Sequence, residues 1–197
     1  MDAIMGIARA NNLKVIEDCC EAHGAMWGGK KVGTFGDFAT FSFYVAHNIT
    51  TGEGGMVLTN SEQYYQIVQE LREFGRLRSY RGDRFGYSDD HLREYDERYV
   101  FHRIGYNFRM ADPPAAFGIE QVKKLDAMNR QRVLNAKFYI DHFNEALRSC
   151  FQIPSLQDAR VAHVFYGFCL IVKPNARMAR ADIARFLESK GIETRAL

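Results

Sequence analysis

The sequence predicts an α/β fold, the later part of a large α/β domain followed by part of a small α+β domain. Three observations predict it. Apolar residues recur at helical spacing over residues 2–11 and again beyond Asp112. Short runs rich in β-branched and aromatic residues, at 14–18, 38–44 and 56–59, lie between the helical stretches. After Asp112 the order changes from strand–helix units to helix–strand–helix–strand. The division between the two domains is expected at residue 125, giving 1–125 and 126–197.

The elements follow in order. Ile4, Met5 and Ile7, with Ala3, Ala8 and Ala10, make the first helix, which Asn11 and Asn12 end. Residues 14–18 are a short strand closing on Glu17 and Asp18. In an α/β sheet the carboxyl ends of parallel strands face the ligand, so Asp18 stands where chemistry is expected. Residues 27–34 are turn-rich, 38–44 are a strand, and 50–55 (TTGEGG) form a backbone-permissive loop. Residues 56–59 are the next strand. Asn60 or Ser61 then caps a helix through about Phe74, which Gly75 closes.

Residues 76–100 are charged and without period, the kind of long stretch that is functional or disordered. Asp112 is an expected N-cap, followed by Pro113 in the first turn. The helical pattern runs on to about Leu147, as one helix or two. Residues 161–172 read as one long strand and 182–190 as a helix stopped by Gly191. Residues 192–195 read as the start of another strand.

Composition narrows the function classes. The chain has 197 residues, 26 basic and 24 acidic, for a formal charge of +2, with 47% apolar residues. That is ordinary globular composition. A balance so near neutral points to no nucleic-acid or membrane-surface partner. No run approaches the ~20 apolar residues of a membrane span. The N-terminus does not read as a signal peptide. Cys19 and Cys20 are adjacent and Cys150 and Cys169 are isolated, without C-x-x-C spacing, which points to reduced thiols in a cytoplasmic chain.

Four features carry chemistry. Glu17 and Asp18 end a strand, with Glu21 and His23 just after; a carboxylate there can hold a ligand's ring nitrogen protonated. His47 follows the aromatic strand that contains Ser42 and precedes the glycine-rich loop; it is placed to act as a general base. Asn107 and Arg109, in GYNFR just before a helix start, suit phosphate or carboxylate. The fourth, GIETR at 191–195, says little alone. No metal site is indicated.

In the order EDCCEAHGA, GTFGDFATFSFY, TTGEGGMVLTN, GYNFRM and GIETR, the chain resembles the DegT/DnrJ/EryC1/StrS sugar aminotransferase family. These are pyridoxal-phosphate enzymes of the aspartate aminotransferase-like class (fold type I) that act on nucleotide-linked keto sugars. The resemblance covers nearly the whole chain and implies a later half of a longer protein. It implies that Asp18 pairs with the pyridine nitrogen, that Glu21 lies near the ring hydroxyl and that Ser42 binds the phosphate. Asn107 would reach the cofactor phosphate of a neighbouring subunit, implying a homodimer. For Arg109 a substrate or phosphate role is implied weakly.

One departure bears on the reaction. The family's aminotransferases carry a Schiff-base lysine after this strand, and here that place is His47. Histidine has no primary amine, so it forms no stable imine, but it can take and give protons. The change resembles the branch of 3-dehydratases exemplified by GDP-4-keto-6-deoxy-mannose 3-dehydratase. Tyr95, Asp96, Tyr99 and HVFYGFCLIV also resemble that branch. It implies a non-covalently held pyridoxamine phosphate, glutamate as amino donor, and loss of the C3 hydroxyl from a nucleotide-linked 4-keto-6-deoxy sugar with His47 as base. The context would be deoxysugar and O-antigen or lipopolysaccharide biosynthesis.

An iron–sulfur type of the branch would place cysteines within 76–100, and none occurs there, so the cluster-free type is expected. Pro113 and Pro114 replace the usual apolar–Gln pair. Two alternatives stay open. One is a sugar aminotransferase whose lysine has been replaced, since the TTGEGG loop also resembles perosamine-type transaminases. The other is an inactive or partner-dependent half-chain.

Overall fold

A computed structural model describes residues 1–76, 96, 99–101, 103–156 and 158–196. Most of 76–100, including Tyr95, lies outside the described residues.

Helix α1 spans Asp2–Ala10, with Asp2 in its first turn and Arg9 in its last, charges that suit the helix dipole. Strand β1 is Ile16–Asp18, shorter than the run 14–18. The turn-rich 27–34 segment contains a hairpin, β2 Met26–Trp27 and β3 Lys30–Lys31. β4 is Phe38–Ser42 and β5 is Gly55–Leu58. One three-stranded sheet has the order β1-β4-β5. β1 and β4 are parallel, with Asp18 opposite Thr40, and β4 and β5 are antiparallel.

Helix α2, Glu62–Arg72, starts at Ser61, whose hydroxyl accepts the N–H of Tyr64 at 3.3 Å. Its far end turns through Phe74 and Gly75, where the Gly75 N–H donates to the Glu70 carbonyl at 2.8 Å. Gly75 has φ +79, and a Cβ on it would sit 1.8 Å from the Arg103 carbonyl oxygen. The backbone of 103–105 crosses so closely that only glycine fits. A buried Glu70 carboxylate pins the crossing by accepting Arg103 Nε at 2.8 Å.

Helix α3 is one unbroken element, Asp112–His142, running through the expected boundary at residue 125. Its N-cap is Ala111, not Asp112. Asp112 lies inside the first turn, where its charge suits the dipole without a capping hydrogen bond. Pro113 and Pro114 follow, where missing N–H groups cost no helical bond. The expected second helix is α4, Glu145–Cys150, capped by the Asn144 side chain.

The run 161–172 is not one strand. It splits into β7, Val161–Ala162, which pairs with β2, and β8, Ile171–Val172, which pairs with β6, Phe151–Gln152. Between them the chain bends at Phe165, φ +46, which buries Val164 and Phe165. Burial of those two side chains outweighs the local strand preference. Helix α5 is Arg180–Ser189. Residues 192–195 form no strand among the described residues. Thr194 instead hydrogen-bonds Glu188, and Arg195 bonds the Tyr166 hydroxyl.

Among the described residues the buried apolar side chains are few: Ala8, Cys19, Ala39, Ile49, Ala136, Val164 and Phe165. No helix among the described residues is long and apolar enough to cross a membrane.

Candidate active site

The parallel register of β1 and β4 brings Asp18 beside Thr40 at the carboxyl ends of both strands. An Asp18 oxygen accepts the Cys20 N–H at 3.2 Å and the Thr40 hydroxyl at 3.4 Å. Hydrogen bonding from Cys20 is the largest cause that holds this carboxyl below its ordinary value; Thr40 and the nearby His47 add to it. Asp18 is exposed and therefore a stable anion at a strand end.

Glu17 faces the other way and is buried. Its two oxygens accept the N–H groups of Gly33, Phe35 and Gly36 at 2.7, 2.6 and 2.7 Å. It thereby fixes the loop that leads into β4 and, with it, the register that places Asp18.

After Ser42 the chain leaves β4 and makes a turn, with the His47 N–H donating to the Tyr44 carbonyl at 3.0 Å. The Thr51 N–H returns to the Phe43 carbonyl at 2.9 Å and closes the loop. His47 is mostly shielded. Its Nε2 lies 3.9 Å from a Glu21 oxygen, and the rings of Tyr44 and Tyr166 stand edge-on to it at 5.8 and 5.7 Å. His47 Nδ1 is buried and without a protein partner among the described residues. Ser42 Oγ accepts the Tyr44 N–H at 3.2 Å, which leaves its hydrogen to donate.

His23 is not on this surface. It is buried against Phe41 and Phe43, and desolvation pushes its imidazole below the ordinary value, so it stays neutral. All four cysteines are free thiols. Burial pushes Cys19 up to about 11, which leaves little thiolate at neutral pH.

The structure therefore brings Asp18, Glu21 and His47 together, with Ser42 on the same face of β4 as Thr40, two residues on. Asn107 and Arg109 form a second group. Asn107 bridges to Glu73 across the end of α2, and its side-chain oxygen accepts Arg109 Nε at 3.2 Å. Arg109 pairs with Glu73 at 3.7 Å and lies over the Phe74 ring at 5.0 Å. Sequence reasoning missed Thr40, Asn48, Asn129 and Tyr166. The two-residue period of β4 signals Thr40, and Tyr166 lies in the HVFYGFCLIV segment; nothing in the sequence signals Asn48 or Asn129.

The donor set fits a pyridoxal-phosphate-type group. Asp18 offers a held anion for a ring nitrogen and Ser42 a free hydroxyl hydrogen for a phosphate. His47 offers a shielded base. The turn 44–48 contains no lysine.

The sequence pattern of the family described as "DegT/DnrJ/EryC1/StrS aminotransferase family" matches residues 1–197. The chain is 34% identical to the lipopolysaccharide biosynthesis protein RfbH of Salmonella typhimurium, over 100% of this chain and 46% of RfbH. A solved E. coli GDP-4-keto-6-deoxy-D-mannose-3-dehydratase with bound hydrated PLP superposes with TM-score 0.84 at 32% identity, over 98% of this chain and 49% of that one. A further structure of a GDP-4-keto-6-deoxymannose-3-dehydratase, with a trapped PLP-glutamate geminal diamine, gives TM-score 0.84 at 31% identity over 98% and 49%. The chain spans about half the length of the curated relatives it matches.

Proposed function

The chain belongs to the DegT/DnrJ/EryC1/StrS aminotransferase family, and from that premise we propose that it serves a PLP-dependent 3-dehydratase of nucleotide-sugar biosynthesis. The reaction removes the C3 hydroxyl of a nucleotide-linked 4-keto-6-deoxyhexose, in the making of deoxysugars for lipopolysaccharide or O-antigen. The observation that carries the reading is His47, a shielded imidazole beside Glu21 in the turn where a transaminase needs its lysine.

Bound there, the pyridoxamine form of the cofactor supplies an amine and an electron sink. The residues of this chain do the rest. Asp18, held ionised by Cys20 and Thr40, pairs with the ring nitrogen. Glu21 sits near the ring hydroxyl, and Ser42 donates to the phosphate. His47 accepts a proton as a neutral base, and the charged ring that results is stabilised by the Glu21 carboxylate 3.9 Å away. Tyr44 and Tyr166 keep water from that imidazole. Asn107 reaches the cofactor phosphate of a second subunit, which makes the working form a homodimer. Arg109 contributes to substrate or phosphate binding. Glutamate is the amino donor, and the four free thiols suit a cytoplasmic setting. The division into 1–125 and 126–197 belongs to the same reading, with α3 crossing it.

The test uses the longest reading frame that contains this chain, with pyridoxal phosphate, glutamate and a nucleotide-linked 4-keto-6-deoxyhexose. The expected product has lost the C3 oxygen and gained no nitrogen. His47→Asn is expected to lower the rate by ~100-fold or more, the ordinary worth of a general base. Nitrogen retained on the sugar overturns dehydration in favour of amino transfer.

A further inference from the structure

Asn48, the residue after His47, is fully buried, and among the described residues it is the largest side chain to be so. Its Nδ2 donates to Asn129 Oδ1 at 3.4 Å across 81 residues of sequence. Asn129 is buried too, and its own Nδ2 donates to the His23 carbonyl at 2.7 Å, 106 residues away. Glycine at position 24 permits this approach: φ is +89, and a Cβ there would lie 2.9 Å from Asn129 Nδ2. The far end is anchored to β4, because the His23 ring packs against Phe41 and Phe43.

Two turns earlier on the same face of α3, the Gln121 side-chain oxygen accepts the Thr50 N–H at 3.3 Å. Between them Asn129 and Gln121 hold the chain on the C-terminal side of His47, at Asn48 and at Thr50. On the N-terminal side, Val45 and Ala46 are exposed, and the turn is held by hydrogen bonds to the backbone of Phe43 and Tyr44. The imidazole is thus held from behind.

A bridge of two buried amides is a demanding way to fill space. Each amide is costly to leave unpaired, whereas a pair of apolar side chains would bring no such penalty. What the amides add is direction, since each bond is satisfied in one geometry only.

We propose that Asn48 and Asn129, with Gln121 in support, are positioning residues that aim the His47 imidazole from the inner face of α3. The inference rests on the reading of His47 as the base. It assigns α3 a second task besides packing: the helix sets where the proton-transferring group stands.

The test is the double variant N48L/N129L in the full-length holoenzyme. Replacing both amides by apolar groups of similar shape leaves neither amide unpaired, although the His23 carbonyl loses its donor. The expected result is a folded protein with a melting temperature modestly below that of the parent, a kcat for dehydration lower by ~10- to 100-fold, and a KM for the sugar nucleotide within about twofold. A second readout needs no turnover: the His47 Hε1 signal of cofactor-free, ¹³C-histidine-labelled protein is expected to shift or broaden. An N48L/N129L protein with kcat within twofold of the parent overturns the proposal, and so does an unmoved His47 signal. His47→Asn separates the two failures. If that variant dehydrates at full rate, the reading of His47 itself has failed. If it is inactive while N48L/N129L is unaffected, only the bridge has failed.

Discussion

Glu17 does for the sheet what a bound anion does for a phosphate loop. One buried carboxylate gathers three backbone N–H groups within 2.6–2.7 Å, and these come from a single loop. Replacing it with glutamine keeps the shape but turns an amide N–H toward those donors. Glu17→Gln is therefore expected to destabilise the protein by ~2 kcal/mol or more, the cost of leaving charge-assisted bonds unmade in a buried place. Urea unfolding of the two proteins measures it, and a difference under about half a kcal/mol rejects the account. At this scale the places of the motif residues were legible: Asp18 and Ser42 stand at strand ends, and His47 stands in the turn after β4. Asn48 and Asn129 were not legible, because 81 residues separate them and neither carries a local signal.

The elements show where local rules hold and where packing overrules them. Helix α2 obeys: Ser61 caps it, and Gly75 ends it. Gly75 is also a crossing point, so Gly75→Ala has two penalties, a left-handed backbone and a Cβ 1.8 Å from the Arg103 carbonyl. The variant is expected to lose ~2–4 kcal/mol, beyond the ~1 kcal/mol of an ordinary glycine exchange. Because residues 103–107 must move to make room, Asn107 should be displaced with them. Differential scanning calorimetry with hydrogen exchange of 103–108 checks both parts; unchanged exchange there would contradict the crossing. The run 161–172 shows the opposite case. Its residues suit a strand, yet the chain breaks at Phe165 because burying Val164 and Phe165 is worth more than continuing a ladder.

On the scale of the whole molecule, much apolar surface stays uncovered. Ile104 is 93% exposed, and Phe108 and Phe117 are each 70% exposed. The stacked rings of Tyr106 and Phe108 stand in the same segment as Asn107. Exposed apolar side chains gathered in one segment, as Ile104, Tyr106 and Phe108 are, mark surfaces that other protein covers. The 197-residue chain expressed alone is expected to brighten 8-anilinonaphthalene-1-sulfonate and to sediment above the monomer mass; a dark, monomeric species would contradict it. Sequence by itself determined much of the strand and helix order, the acid at the end of β1 and the family, while β2, β3 and β6 went unread and residues 161–172 read as one strand. Those depend on short-range period, turn chemistry and residue identity, which a linear chain displays. Only the tertiary structure decided that Thr40 steadies Asp18, that Tyr166 borders His47 and that Asn129 reaches behind the turn that carries His47. Each of these is a contact between segments distant in sequence, and such contacts are fixed by how the core closes rather than by any local preference.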